Sequence, residues 1–327
     1  MILARRLLNM MIMLLAVAIP AVAQSDMILS QHWAVPTLYN PSRVGETDFL
    51  RIRGAARLQW IGVDNAPKSF VAAADIPWVF GSHRVGAGVN VLQESIGLFR
   101  TLLVNAQAAY QLKFLKGTLS LGLQAGYYNS RFRGSDVYIP DDDDYHQPDD
   151  PSIPKQDLSG NSVDLGLGIS YSTNIFHVGI AAQHLSSPKI RLERQGSESS
   201  ESQRFETELP RTLYLSSGGN IALKNTLFVL QPDILLASDF SDFSAALSLR
   251  TTYNNFLSFG VGYRWNDAVS LMVGANFRNF FLGYAFDYPT SDISKVSSGS
   301  HEIVAGYSLK LDLAGKNKHK HRSIRIM

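Results

Sequence analysis

The sequence predicts an all-β fold: a transmembrane antiparallel β-barrel of about fourteen strands, with an irregular N-terminal segment and periplasmic termini. Three observations predict it. Apolar and polar residues alternate with a period of two from about Arg51 to Lys310, which is typical of strands with two unlike faces. The chain opens with a secretory signal and has no later stretch long enough for a transmembrane helix. The longest connections all fall on one side of the predicted sheet.

The first 23 residues have the layout of a cleaved signal peptide. Arg5 and Arg6 precede an apolar run from Leu7 to Ile19, and Ala21-Val22-Ala23 is a small-x-small cleavage site. We therefore expect residues 1–23 to be removed. An exported chain without a transmembrane helix can cross a membrane only as a closed barrel.

The predicted strands are about ten residues long, the length that a tilted membrane strand requires. In one of them Leu257, Phe259 and Val261 alternate with serine and glycine residues. A soluble sandwich would bury such an apolar face, whereas a membrane barrel turns it toward lipid. The predicted strands lie near residues 50–60, 68–77, 84–94, 100–112, 117–130, 162–172, 175–185, 211–221, 225–236, 243–251, 256–265, 268–278, 279–287 and 301–311. The predicted barrel domain is 49–312.

The connections favour the barrel over the sandwich. The three longest, 131–161, 186–210 and 288–300, follow the fifth, seventh and thirteenth predicted strands. With periplasmic termini, every odd-numbered connection is external, and bacterial barrels have long external loops and short periplasmic turns. A sandwich gives no reason for this parity.

Composition excludes several functional classes. The chain has no cysteine, and its net charge of +2 gives no general affinity for polyanions, so no nucleic-acid partner is expected.

Ser300-His301-Glu302 resembles a hydrolase constellation, but adjacent strand residues point to opposite faces. We expect no catalytic residue, cofactor or metal site, and no enzymatic activity. The acidic run Asp141–Asp144 lacks the spacing of a calcium loop, so a solvated loop is favoured, although the sequence leaves calcium binding open.

Charged residues interrupt the polar faces that would line the lumen. Two interpretations stay open: an aqueous pore whose selectivity these residues tune, or a filled lumen in which they form buried ion pairs. The predicted lumenal charges are Arg51, Arg53, Arg57, Asp164, Arg250, Arg264, Arg278 and Glu302.

Both ends of the mature chain lack strand patterning. The segment 24–48 is punctuated by proline and holds apolar residues that must be buried, so it either plugs the periplasmic mouth or docks on a periplasmic partner. The candidate docking residues are Trp33, Leu38, Tyr39, Asn40 and Pro41. The tail 313–327 is basic and should be periplasmic.

Two groups of residues carry a family resemblance. The first comprises Gln31-His32-Trp33, Tyr39-Asn40-Pro41, Gln59-Trp60 and Asp75-x-Pro77. The second comprises Asp287-Tyr288 and Ser300-His301-Glu302. This pattern resembles the PorP/SprF family of outer-membrane barrels in the type IX secretion and gliding machinery of Bacteroidota, over essentially the whole mature chain. Phe286 stands where the pattern has tyrosine.

The resemblance implies a non-enzymatic barrel embedded in outer-membrane lipids. It implies association with a periplasmic ring lipoprotein and peptidoglycan-binding components, and help for a secreted surface protein, such as an adhesin, in reaching or staying on the cell surface. The alternative function is an outer-membrane channel for a small or hydrophobic solute.

Overall fold

The computed structural model describes residues 26–81, 83–137, 154–194 and 205–312. The proposed signal peptide, the acidic run at 141–144 and the basic tail lie outside these residues. Within them, fourteen strands form a closed antiparallel wall, as the sequence predicts. These wall strands are β1 (Phe49–Leu58), β2 (Lys68–Phe80), β3 (His83–Ile96), β4 (Phe99–Phe114), β5 (Gly117–Phe132), β6 (Leu158–Ser172), β7 (Phe176–Gln183), β10 (Thr212–Gly219), β12 (Phe228–Ser238), β13 (Phe243–Tyr253), β14 (Leu257–Arg264), β15 (Ala268–Phe277), β16 (Phe280–Pro289) and β17 (Ser300–Lys310).

The barrel closes between its first and last strands. β1 pairs with β17 from Phe49 opposite Lys310 to Leu58 opposite His301, and β7 pairs directly with β10. The wall therefore has no free edge, which removes the unpaired backbone groups that a membrane would penalise.

Three short strands lie outside the fourteen. β8 (Lys189–Arg194) and β9 (Phe205–Glu208) pair with each other, and β8 also extends the end of β6. β11 (Ile221–Ala222) pairs only with β12 and continues β10. The sequence predicts 186–210 only as a long connection; the structure adds a short hairpin within it, and Ile190 and Leu192 are buried with Leu158 in a small apolar cluster.

The two ends of the barrel differ. The chain termini and the short turns, such as 115–116 and 278–279, lie at one end, here called the termini end. The described parts of the longer connections, 133–137, 154–157, 184–194, 205–211 and 290–299, lie at the other, here called the loop end. In outer-membrane barrels the short turns mark the periplasmic side.

The polarity of the two faces of the wall is the reverse of that in a soluble protein: the outer face is apolar and the inner face is polar. Leu165 on β6, Phe259 on β14 and Leu271 on β15 are exposed on the outside, whereas Ser170, Ser258 and Ser270 on the same strands are buried. Exposed aromatic residues cluster at strand ends near the termini end, as in the girdles of membrane barrels. They include Phe80, Phe114, Phe228, Tyr253, Phe277 and Phe280.

The core lies inside the lumen. Residues 26–48 run from the loop end to the termini end before β1 begins, and only Asp48 among them is exposed. Leu29, Val35 and Leu38 pack against wall residues such as Ala181 and Val304. The helical parts of the described chain are short 3-10 segments, His32–Ala34, Pro36–Leu38, Pro41–Arg43, Gly134–Asp136 and Asp292–Lys295. None of the described helices is long and apolar enough to cross a membrane.

Candidate functional site: a plugged lumen and its two mouths

The residues 26–48, here called the plug, fold as three 3-10 turns because their sequence favours such turns. Pro36 and Pro41 each begin one, where a residue without an N–H loses no hydrogen bond. The Asn40 side chain accepts the Ser42 N–H at 2.9 Å and caps the third turn. These consecutive tight turns make the segment compact enough to fit within the barrel.

Glycines in the wall let the plug backbone come close. A Cβ at Gly122 on β5 would lie 2.2 Å from the backbone nitrogen of Ser42, and one at Gly86 on β3 would lie 2.0 Å from the carbonyl oxygen of Val44. Only a residue without a side chain leaves this space. Some wall glycines are therefore part of the plug's binding surface.

We expect Gly122→Val to dislodge the plug, because both clashing groups belong to backbone and overpacking commonly costs about 1–3 kcal/mol. Since the chain has no cysteine, Thr37→Cys provides a single reporter at a buried plug position. Maleimide labelling of that cysteine should be faster in the Gly122→Val background. Gly54→Val is the matched control, because the nearest atom to its Cβ is 3.8 Å away. Equal labelling in both backgrounds would contradict this packing.

Glu302, near the loop end of β17, binds the plug backbone inside the lumen. Its two carboxylate oxygens accept the N–H groups of Ser30 at 2.7 Å and Gln31 at 2.8 Å. The guanidinium of Arg57 on β1 donates to the same carboxylate at 3.0 Å. Glu302 and Arg57 are both almost completely buried, so the ion pair and the hydrogen bonds compensate the cost of removing both charges from water.

Asp287 on β16 forms the second half of this network. It accepts the Ser30 hydroxyl at 2.7 Å and pairs with Arg57 at 2.7 Å and with Arg264 at 3.0 Å. Arg264 also donates to the Ile28 carbonyl at 3.1 Å. Two arginines and two carboxylates from four wall strands thus hold one short stretch of plug.

A second polar cluster holds the plug near the loop end. Asp26 accepts the Tyr214 hydroxyl at 2.6 Å and lies 3.3 Å from His184, whose other ring nitrogen is 3.0 Å from Asp164. His184 therefore links a plug carboxylate to a wall carboxylate. A cavity of about 340 Å³ adjoins this cluster, lined by residues that include Glu94, Tyr128 and Leu209.

Wall amides and one acid hold the remainder of the plug. Gln183 donates to the Leu38 carbonyl at 2.8 Å, Gln107 to the Thr37 carbonyl at 2.9 Å and Gln111 to the Val44 carbonyl at 3.0 Å. Asp75 on β2 accepts the Gly45 N–H at 2.9 Å and pairs with Arg51 at 2.8 Å. These contacts satisfy backbone groups that the 3-10 turns leave free.

The termini end opens into two adjoining cavities. One of about 630 Å³ is lined by Arg53, Arg250 and Arg278 among other residues. The other, of about 700 Å³, is lined by Arg43, Glu46, Lys113 and Lys116. Both also border Trp33, Pro36, Thr47, Arg51 and Asn220. Together they are here called the periplasmic basin.

Four of the five predicted docking residues do not form a surface. Leu38, Tyr39, Asn40 and Pro41 are buried inside the barrel, where they support the wall contacts of the plug. Their assignment to partner docking is therefore wrong, because the apolar residues of this segment are buried by the protein's own lumen. Trp33 is partly buried: it packs on Phe281 with ring centroids 5.5 Å apart and under the Arg250 guanidinium at 3.3 Å.

The predicted lumenal charges fall into three groups. Arg51, Arg57, Arg264, Asp164 and Glu302 face inward and take part in ion pairs. Arg53 and Arg250 face inward without a carboxylate partner among the described residues; Arg53 instead donates to the Ser308 hydroxyl at 2.8 Å. Arg278 lies at the rim of the lumen, where its side chain borders the cavity at the termini end. It lies exposed in the β15–β16 turn with φ +55°, where the strand alternation has ended.

The family-pattern residues are explained by the plug and by the wall around it. Asp75, Asp287 and Glu302 bind plug backbone or plug side chains, and buried Pro77 lies beside Gly45. The Gln59 N–H donates to the Pro67 carbonyl, and the Trp60 N–H donates to the Ser300 hydroxyl at 3.1 Å, which orders a loop-end connection. Tyr288 is exposed on the outside. In this chain, most of these pattern residues therefore hold the plug or order the wall around it.

His301 and Glu302 point to opposite sides of the wall, as strand geometry requires. His301 contacts the Tyr284 hydroxyl at 2.7 Å on the outside, while Glu302 is fully buried in the lumen. Among the described residues, no group of three or more His, Cys, Asp or Glu side chains is arranged to hold a metal ion.

Sequence reasoning did not identify several residues that hold the plug, namely Asp26, Ser30, Gln31, Gln107, Gln111, Gln183 and His184. The one signal available was the presence of large amides, rather than only serine and glycine, on the polar faces of β4 and β7. The open question of a pore or a filled lumen is answered within the described residues: the plug occupies the lumen.

Several solved outer-membrane proteins have a similar overall fold. Omp33 of Acinetobacter baumannii is 9% identical, with 82% of this chain and 100% of that chain covered and a TM-score of 0.45. The toluene transporter TodX of Pseudomonas putida is 11% identical, with 88% and 95% covered and a TM-score of 0.46. Similarity at this level says nothing about what this chain binds or transports. Among proteins with curated descriptions, none matches this chain significantly.

The family comparison is specific. A model of the type IX secretion system membrane protein PorP/SprF matches residues 21–307, a range that includes the plug, nearly the whole wall and both groups of residues in the pattern above. A closed fourteen-stranded wall with an apolar exterior is the architecture of a multi-pass outer-membrane protein. This chain therefore belongs to the PorP/SprF family of type IX secretion system membrane proteins, and its place is the outer membrane.

Proposed function

We propose that this chain is a non-conducting scaffold barrel of the type IX secretion system. On its periplasmic side it would hold the ring lipoprotein and peptidoglycan-binding components, and on its outer side it would help a secreted surface protein, such as an adhesin, to reach or stay on the cell surface. We propose no enzymatic role for it.

The observation that supports this proposal most is the fixed plug. A solute channel needs a continuous path, but the plug is held by a buried network of two arginines and two carboxylates and by wall amides along its length. Displacing it would leave several buried charges and carbonyl groups unpaired, at a cost of several kcal/mol. A lumen built in this way suits a rigid platform better than a passage.

The alternative proposal is an outer-membrane channel for a small or hydrophobic solute. The cavity of about 340 Å³ on the loop-end side of the plug favours it, because its lining includes the apolar residues Leu92, Ile96 and Leu103. Transport would then require the plug to move so that this cavity connects with the periplasmic basin.

Two measurements test the proposed function. In planar bilayers the intact chain should show no steady ionic conductance, whereas a variant lacking residues 27–44 should conduct, because the deletion removes the plug and leaves the wall. Affinity purification of the tagged chain from native outer membranes in mild detergent should recover the periplasmic lipoprotein ring. A conducting intact chain that recovers no periplasmic protein would support the channel instead.

A further inference from the structure

Among the described residues that line the periplasmic basin, positively charged side chains outnumber negatively charged ones. Its acids are already paired: Glu46 lies 2.5 Å from Arg43, and Asp75 on the wall beside it lies 2.8 Å from Arg51. Although burial opposes the charged form, Arg43 and Arg51 hold the pKa of Glu46 below its ordinary value. Five cations around the basin have no carboxylate partner among the described residues: Arg53, Lys113, Lys116, Arg250 and Arg278.

Arg250 is the cation of the basin whose orientation is most closely fixed. Its Nε is buried without a hydrogen-bond partner among the described atoms, although buried polar groups are nearly always paired. The Trp33 ring lies 3.3 Å from the guanidinium carbon and fixes its plane by a cation–π contact. Asp233, the acid on the neighbouring strand, lies 3.5 Å from His177 and attracts Arg250 through space without forming a salt bridge with it. A guanidinium held in one plane at the lining of a cavity is suited to a carboxylate.

We propose that the periplasmic basin binds an acidic polypeptide segment. Arg53 on β1, Arg250 on β13 and Arg278 in the β15–β16 turn are spread around a cavity of about 630 Å³, so they suit several spaced carboxylates better than one small anion. Polar side chains also line this cavity: Asn276, and the pair Gln231 and Asn220, in which the Gln231 amide donates to the Asn220 carbonyl oxygen at 2.7 Å.

The sequence after the last strand also favours a negatively charged partner. β17 ends at Lys310 at the rim of this end of the barrel, and the sequence that follows contains Lys316, Lys318, Lys320, Arg322 and Arg325. The basin and the sequence that follows β17 therefore carry the same sign of charge, which attracts an acidic partner. This inference rests on the proposed function in one respect: the segment would belong to a periplasmic component of the secretion system.

The test uses the purified full chain and a fluorescent hexaglutamate peptide as probe, followed by anisotropy. Binding should weaken as salt rises. Arg53→Gln with Arg250→Gln should lower the affinity about tenfold or more, because two guanidinium groups that can bind the peptide carboxylates are lost. Arg278→Gln, a substitution on an exposed turn, should also weaken binding and leaves the fold untouched. Arg131→Gln, at the loop end, is the matched control.

Three results would overturn the proposal. One is hexaglutamate affinity that the basin variants leave unchanged although heat-modifiable gel mobility shows folded barrels. The second is equal binding of hexaglutamine, which would mean that carboxylates are not recognised. The third is displacement of the peptide by millimolar inorganic phosphate, which would indicate a small-anion site. None of these depends on recovering ring components from membranes, so this inference and the proposed function can fail separately.

Discussion

Replacing Glu302 with glutamine should destabilise the barrel and loosen its plug, although the two side chains have almost the same shape. Both carboxylate oxygens of Glu302 accept plug N–H groups, and one also pairs with Arg57. Glutamine has a single acceptor oxygen, and its NH₂ group would face another donor. Removing one partner from a buried ion pair typically costs about 3–5 kcal/mol. Urea unfolding in detergent, followed by heat-modifiable gel mobility, should show a clearly lower midpoint.

The matched control is Glu94→Gln on β3. Glu94 is a partly buried lumenal acid that accepts one described hydrogen bond, from the Ser69 hydroxyl at 3.0 Å, and glutamine can still accept it. The Thr37→Cys reporter should react faster with maleimide in the Glu302→Gln background than in the Glu94→Gln background. If the two variants unfold at the same urea concentration, the network does not hold the plug.

The sequence predicted the wall well because the governing signal is local. In a strand, each residue's face follows from its neighbours, so the alternation around Leu271 or Phe259 is enough to assign the outer face. The alternation of long and short connections then assigns each connection to one end of the closed wall. The alternation gives less information where the strand ends: Arg278 occupies a left-handed turn position, so its direction at the rim of the lumen does not follow from the strand.

The plug could not be predicted in the same way because its contacts join distant parts of the chain. Ser30 meets Asp287 across 257 residues and Glu302 across 272. No periodicity in residues 26–48 encodes those partners, and proline-rich apolar segments look alike whether they bind a partner or a lumen. The β8–β9 hairpin was missed for a different reason. Ile190 and Leu192 do alternate with charged residues, but over only a few positions.

Leu271→Arg tests whether the outer face meets lipid. Leu271 is 61% exposed in the middle of β15, and on a soluble protein an exposed leucine could become arginine with an effect within about 0.5 kcal/mol. At the midplane of a bilayer the same change costs about 2–4 kcal/mol. Folding into lipid vesicles, measured by urea titration of gel mobility, should therefore show a large loss of stability.

Position in the membrane, rather than exposure, should decide the effect. Leu115 is 85% exposed in the short turn between β4 and β5, beyond the aromatic girdle at the termini end. Leu115→Arg adds the same charge to an even more exposed site, and we expect it to be nearly neutral because the guanidinium remains in water or among headgroups. Equal costs for the two variants would mean that solvent surrounds both positions, and the outer face of β15 would not be a lipid face. A large cost at Leu271 alone identifies lipid as the surrounding medium there, since no contact within the protein distinguishes two such exposed leucines.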